Sequence, residues 1–301
     1  MKRKISNRRK VKEAAAGYLF LTPASILLIT FIILPIIMSL LLSFTKYSGF
    51  DSPVWNSGAN YKELFTSRDF IVSMKNTFIF VVVSVPAQTI ISLLLAAILA
   101  ANFRNSLGEF VRGALFIPVL CSSVLAGTVF YYLFASNADA AMNVLLSVFG
   151  IEKQNWLGQR NTALAIVCIV SVWKNIGYYL VIFYAGIMDV PSTLYEAARC
   201  DGATPIQQFL HITLPGIRSV LYLVITLGTI WGFQLFDLTY IMTKGGPGNA
   251  TMTPGLLLYN EAFNSYRMGY ACAVACVLAL VILAVTVIQR IAFNEKAGGE
   301  D

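Results

Sequence analysis

Apolar residues run along this chain in long blocks separated by short polar connections. Six blocks reach the roughly 20 mostly apolar residues that a helix needs to cross a bilayer. They cover residues 18–44, 77–101, 111–135, 162–188, 216–242 and 268–289. The pattern predicts an all-α membrane protein whose spans pack as one six-helix bundle. The third block opens with Arg112 and contains Pro118, where a kink is expected, because proline removes a backbone donor and clashes with the preceding turn. Pro23, Pro35 and Pro86 are compatible with lipid-embedded helices when neighbours satisfy the freed carbonyls.

Composition supports this reading. Of 301 residues, 57% are hydrophobic and 12% charged, against about 25% charged in ordinary soluble domains. A soluble protein this apolar could not cover its surface with polar groups, whereas lipid lets apolar side chains face outward. Residues 1–17 form a basic N-terminal segment, 18–290 the transmembrane domain and 291–301 a polar tail. Lys2, Arg3, Lys4, Arg8, Arg9, Lys10 and Lys12 directly precede the first apolar block. This placement favours a cytoplasmic flank attracted to anionic lipid over nucleic-acid binding. The first block is also too long for the hydrophobic region of a cleaved signal peptide, about 7–15 residues. With the N-terminus inside, the inner flanks hold Arg104, Arg112, Arg199, Arg218, Arg290 and Lys296 besides the N-terminal run. The outer loops hold fewer basic residues, among them Lys46, Lys62, Lys153, Lys244 and Arg267. That bias puts both termini in the cytoplasm. The five cysteines include no C-x-x-C pair, so zinc and redox motifs are absent and no metal site is expected. Cys272 and Cys276 fall on one face of a late helix, where small-residue packing accounts for them.

Residues 190–215 carry the strongest signal. Pro191 blocks direct continuation of the fourth span. Thr193 and Glu196 have capping-box spacing, which predicts a helix start there. Gly202 can end that helix in a left-handed C-cap. Thr204, Pro205 and Gln207 supply N-cap, N1 and N3 chemistry for a second short helix. Local physics therefore gives two short helices joined by a turn, on the cytoplasmic face.

The run Glu196-Ala197-Ala198, then Gly202, then Ile212, Leu214 and Pro215 resembles the EAA motif of ABC importer permeases. Thr243-Lys244-Gly245-Gly246-Pro247 resembles the T-x-G-G-P of the first permease subunit in carbohydrate importers of the maltose and glycerol-3-phosphate type. The resemblance extends over nearly the whole chain. It lacks the extra N-terminal spans and large outer domain of the maltose permeases, so the sugar stays open.

The resemblance implies a type I importer permease with a cytoplasmic EAA coupling helix, in the bacterial plasma membrane. Implied partners are a second homologous permease, two ATP-binding-cassette ATPase subunits, an extracytoplasmic binding protein and a sugar or oligosaccharide. Glu196, Ala197, Ala198, Asp201, Gly202, Ile212, Leu214 and Pro215 would couple to the ATPase. No G-x-x-x-x-G-K-[ST] run occurs, so no cofactor is expected on this chain; ATP and Mg²⁺ belong to the partner ATPase. Simpler readings stand beside these. Glu196 can serve only to cap its own helix, Ala197 and Ala198 to form it, Asp201 to be solvated and His211 to pack at an interface.

Polar groups inside a bilayer are costly and usually face the bundle interior. Trp173, Lys174, Asn175 and Tyr178 lie in the fourth span. Trp231, Gln234 and Asp237 lie in the fifth, at spacings that would put them on one helical face. Aromatic rings beside amide and charged groups suit sugars, which present C–H faces and hydroxyl edges. A Lys174–Asp237 ion pair or an interfacial aromatic belt would explain the same residues structurally. A secondary transporter or channel independent of an ATPase is the competing function. An intramembrane enzyme is disfavoured, because the lone His211 lies in an inner loop and no paired intramembrane carboxylates occur.

Overall fold

The computed structural model describes residues 7–103, 105–135, 137 and 140–293, with 7–15 described by their backbone alone. The basic residues Lys2, Arg3 and Lys4, Arg104 and the tail from Asn294 lie outside the described residues. Helices dominate: α1 (Asn7–Leu28), α2 (Leu34–Leu42), α3 (Ala59–Thr66), α4 (Arg68–Asn102), α5 (Ser106–Leu120), α6 (Ser123–Leu133), α7 (Ala141–Val148) and α8 (Arg160–Met188) come first. Then follow α9 (Ser192–Cys200), α10 (Pro205–Gln208), α11 (Leu214–Gly216), α12 (Arg218–Phe233), α13 (Asp237–Met242), α14 (Pro254–Tyr259) and α15 (Met268–Phe293). A two-residue antiparallel ladder pairs β1 (Thr45–Lys46) with β2 (Val54–Trp55).

Four uninterrupted helical stretches are long and apolar enough to span a membrane: Ala16–Leu42, Arg68–Asn102, Arg160–Met188 and Met268–Phe293. Two bent pairs bring the number to six if each is one span. The first pair, α5 and α6, replaces the expected kinked third span with a 92° bend. The break lies at Cys121–Ser122 rather than at Pro118. Ser122 is extended and its side chain accepts from the Leu125 amide, so it caps a new helix. The second pair turns by 72° between the Pro205–Gly216 segment and α12.

Both Leu-Pro steps in helical segments follow a π-helical turn, Ile29–Ile33 before Pro35 and Phe209–Thr213 before Pro215. In each, the Leu amide bonds five residues back, Leu34 to Ile29 and Leu214 to Phe209. A proline ring clashes with the carbonyl four residues earlier in a regular α-helix. The widened turn moves that carbonyl aside and lets the helix continue.

The bundle core forms where α4, α8 and α12 cross. Phe80, Val85, Val167, Val170 and Phe233 fill one half, and Leu93, Ala96, Tyr179, Leu180, Phe183 and Val224 the other. A third cluster, with Leu64, Leu257, Tyr270 and Val274, ties α3 and α14 to the start of α15. Helices α5 and α8 meet at Gly177, where a Cβ would sit 2.1 Å from the Leu115 carbonyl oxygen. Small residues permit such close backbone approach in membrane bundles. By contrast, no residue from Ala16 to Leu42 is buried, so the first span stands on the outside of this subunit.

Candidate functional site

Two separate places gather the residues singled out from the sequence. The first is the segment between α8 and α12. Helix α9 starts at Ser192 with Pro191 as its N-cap and no side-chain cap. The expected Thr193–Glu196 capping box is therefore not formed. Pro191, at φ −54° and ψ 126°, already occupies the N-cap, and Thr193 falls inside the first turn. Glu196 caps nothing and stands exposed. At the other end, Gly202 adopts φ +77°. The Gly202 amide bonds the Arg199 carbonyl at 3.1 Å and the Ala203 amide bonds the Ala198 carbonyl at 2.8 Å. This is the paired arrangement of a Schellman cap, which left-handed glycine permits.

The second helix starts as its residues predict. Thr204 Oγ1 accepts from the Gln207 amide, Gln207 Oε1 accepts from the Thr204 amide at 2.7 Å, and Pro205 occupies the first turn. No residue of α9 is buried. Glu196, Ala197, Asp201 and Gly202 are exposed, Ala198, Ile212 and Leu214 are half-buried, and Pro215 is exposed. His211 Nδ1 lies 3.0 Å from the Gln207 carbonyl oxygen, on an exposed surface. Helix α9 is thus closed at its C-terminal end by the glycine cap, has no side-chain cap at its start, and leaves its surface uncovered by the rest of the chain.

The second place is a cavity of about 280 Å³ where α4, α6, α8 and the α12–α13 junction meet. Lys174, Asn175, Trp231, Gln234 and Asp237 all line it. Trp173 and Tyr178 do not. Trp173 packs edge-on against Phe130 at 4.9 Å, and Tyr178 lies behind Trp231 at 5.1 Å. The single helical face expected for Trp231, Gln234 and Asp237 is also corrected. α12 stops at Phe233, Gln234 is its C-cap, and Asp237 opens α13. The break, not helical spacing, brings the three side chains together. Non-helical backbone at membrane depth is tolerated where it lines a cavity or is buried in protein. Here Thr253 also donates to the Leu235 carbonyl at 2.8 Å.

The expected alternative of a Lys174–Asp237 ion pair is not realised: among the described residues no such pair falls within 4.0 Å. Lys174 occupies the middle of α8. A charge at that depth costs about 2.5–3.5 kcal/mol on insertion scales, and the cavity supplies the polar surroundings that reduce this cost. Sequence reasoning missed Ser84, Gln88 and Ser123, which complete the polar wall. A signal was present in α4, where Ser84, Gln88 and Ser92 recur every four residues in an apolar helix and are all buried. Ser92 donates to the Ile176 carbonyl at 2.9 Å.

Similarity to known proteins matches this geometry. A Bacillus subtilis (strain 168) protein, the probable ABC transporter permease protein YurN, is 34% identical over 287 residues, covering 94% of this chain and 97% of its own. The lactose transport system permease protein LacF of Rhizobium radiobacter is 32% identical, covering 93% and 94%. The arabinooligosaccharides transport system permease protein AraP of Bacillus subtilis (strain 168) is 31% identical, covering 92% and 88%. A crystal structure of a bacterial ABC transporter involved in alginate import contains a chain that superposes with a TM-score of 0.84 at 23% identity, over 95% of this chain and 97% of that one. At that identity the likeness shows a shared fold. The family model described as binding-protein-dependent transport system inner membrane component matches residues 76–294, and this chain belongs to that family.

Proposed function

We propose that the chain is a permease subunit of an ABC importer that carries a sugar or oligosaccharide across the bacterial inner membrane. The exposed α9 is the observation that carries this reading. A nine-residue helix with no buried residue, ended by a glycine cap that turns the chain into a second, capped helix, is built to transmit motion from a partner. Glu196, Ala197, Ala198, Asp201 and Gly202 are its contact residues on an ATPase subunit. Ile212, Leu214 and Pro215 carry the motion into α12. ATP and Mg²⁺ act on the ATPase, and this chain has no catalytic residue of its own. A second permease completes the pathway, and a binding protein delivers cargo from outside. Both termini face the cytoplasm.

Carbohydrate as cargo is supported by the sugars that the relatives AraP and LacF are named for and by the cavity. Its amides, hydroxyls and the Trp231 face match hydroxyl edges and C–H faces. Gln234, Asp237, Lys174 and Asn175 are the polar contacts, with Tyr178 backing Trp231 and Trp173 supporting the wall from outside.

Reconstitution tests the assignment. The chain is co-purified with its ATPase and partner permease, placed in liposomes, and supplied with loaded binding protein. ATP-dependent uptake is expected. Uptake by this chain that proceeds without any ATPase would convert the reading to a secondary transporter or channel.

A further inference from the structure

Four aromatic rings leave the cavity in series. Phe236 lines the cavity. Its ring centroid lies 5.4 Å from those of both Tyr240 and Tyr259. Tyr240 and Tyr259 are 5.2 Å apart, and Tyr259 and Phe263 again 5.2 Å. None of the four is buried, and Phe263 is 54% exposed.

The backbone beneath the rings is tied down. Asn76 of α4 donates to the Asn249 and Met252 carbonyls at 2.8 and 2.9 Å. Asn249 donates to Asp69 at 2.7 Å, and Thr253 reaches the Leu235 carbonyl. The segment from 243 to 253 is thereby clamped to α4, and it sets α13 against α14. The backbone leading into Phe236 and into α14 is thereby held in place.

The chemistry of the row selects its occupant. Tyr240 and Tyr259 put two phenol hydroxyls beside the ring faces, so the row has a polar edge as well as apolar faces. A sugar unit offers an apolar C–H face to a ring and hydroxyls to a neighbouring phenol. The row is also continuous with the polar cavity through Phe236. We propose that Phe236, Tyr240, Tyr259 and Phe263 form a stacking track on which the sugar units of the cargo step between the outer mouth and the cavity. The track rests on the carbohydrate reading above and adds to it a path and a set of residues.

The experiment uses the full complex with its ATPase, partner permease and binding protein. Single Tyr259→Cys and Phe263→Cys chains are exposed to a membrane-impermeant maleimide, with the wild-type chain setting the background from its own five cysteines. Co-purification of the ATPase serves as the check on assembly. A water-filled track predicts labelling at both positions. No labelling at either overturns it, because lipid or the second permease then covers the rings. Uptake of lactose, maltose and arabinooligosaccharides is measured in parallel with Tyr259→Ala and Phe263→Ala. Loss of one stacking ring is expected to lower uptake of the accepted sugar about threefold to tenfold. Labelled rings with unchanged uptake overturn the stacking role alone. A wild-type complex that takes up none of these sugars, nor any of a wide panel of mono- and oligosaccharides, overturns the carbohydrate reading, and the track with it.

Discussion

The Tyr195 hydroxyl lies 2.9 Å from Thr213 Oγ1, joining α9 to the segment that re-enters the bundle. Thr213 is buried at 5% exposure, while α9 has no buried residue of its own. This bond is a cross-brace between an exposed helix and the core, a second connection beside the backbone.

Tyr195→Phe removes the brace without changing the shape of the ring. A hydrogen bond of this kind contributes about 1 kcal/mol, so coupling is expected to weaken roughly fivefold. The measurement is ATP hydrolysed per substrate imported in liposomes. Pairing it with Thr213→Val closes a double-mutant cycle. If the brace matters, the double variant is no worse than the worse single one; additive losses would assign the two residues to separate roles.

The cavity makes a contrast between neighbours in sequence. Gln234→Ala and Trp231→Ala remove groups that line it, and uptake is expected to fall about tenfold, the order of one lost polar or aromatic contact. Trp173→Ala removes a ring packed on Phe130 outside the cavity. It should lower protein yield while leaving the pattern of accepted sugars unchanged. A changed substrate range in Trp173→Ala would move that residue into the pathway.

Much of this was legible in the chain because lipid imposes a simple rule: long apolar runs must be helices. The second capping signal was equally local, and Thr204, Pro205 and Gln207 act as their types require. What stayed hidden depends on tertiary contacts. Cys121–Ser122 looks no more like a break than Pro118 does, yet Ser122 caps a helix leaving at 92°. The stop at Gln234 has no proline or glycine immediately after it. Only the assembled neighbours around Leu235 compensate the interrupted ladder, so periodicity alone puts Trp231, Gln234 and Asp237 on one helical face that the break at Gln234 removes. Glu196 shows the reverse error, in which correct capping spacing was pre-empted by Pro191.

Gly177 tests the packing directly. A methyl group there meets the Leu115 carbonyl at 2.1 Å and the Phe116 Cα at 2.9 Å, and both are backbone atoms that cannot swing away. Gly177→Ala must push α5 from α8, at about 1–3 kcal/mol. The expected readout is a lower midpoint in a thermal aggregation assay of detergent-solubilised protein. Gly113→Ala is the control, since nothing lies within 4 Å of its Cβ position. Equal midpoints for the two variants would refute the close crossing.

Orientation has its own readout. Cysteines placed at Lys244 and at Glu196, both exposed, should react with an impermeant reagent from opposite sides of the membrane. Lys244 is expected to label from outside and Glu196 only from the cytoplasmic side. Labelling of both from one side rejects the arrangement with cytoplasmic termini.

Gly202 separates backbone geometry from partner contact. Its φ of +77° is open to glycine, and no atom of the chain lies within 4 Å of a Cβ added there. Any penalty inside the chain is therefore conformational, about 1–2 kcal/mol for an ordinary side chain. Asparagine visits the left-handed region more readily than most residues, and β-branched residues do so least. The series Gly202→Asn, Gly202→Ala and Gly202→Val should then lose uptake in that order if the cap alone sets the pose of α9. A small loss in all three would mean that α9 keeps its pose without the cap. An equally severe loss in all three would instead place the partner ATPase against this position, since the asparagine variant keeps the backbone but adds bulk. Pull-down of the ATPase with each variant reads association, and liposome uptake reads coupling. Membrane insertion should be normal throughout, because the substituted residue lies between α9 and α10 and outside every spanning helix. Full uptake with a firmly held ATPase in Gly202→Val would remove α9 from the coupling path.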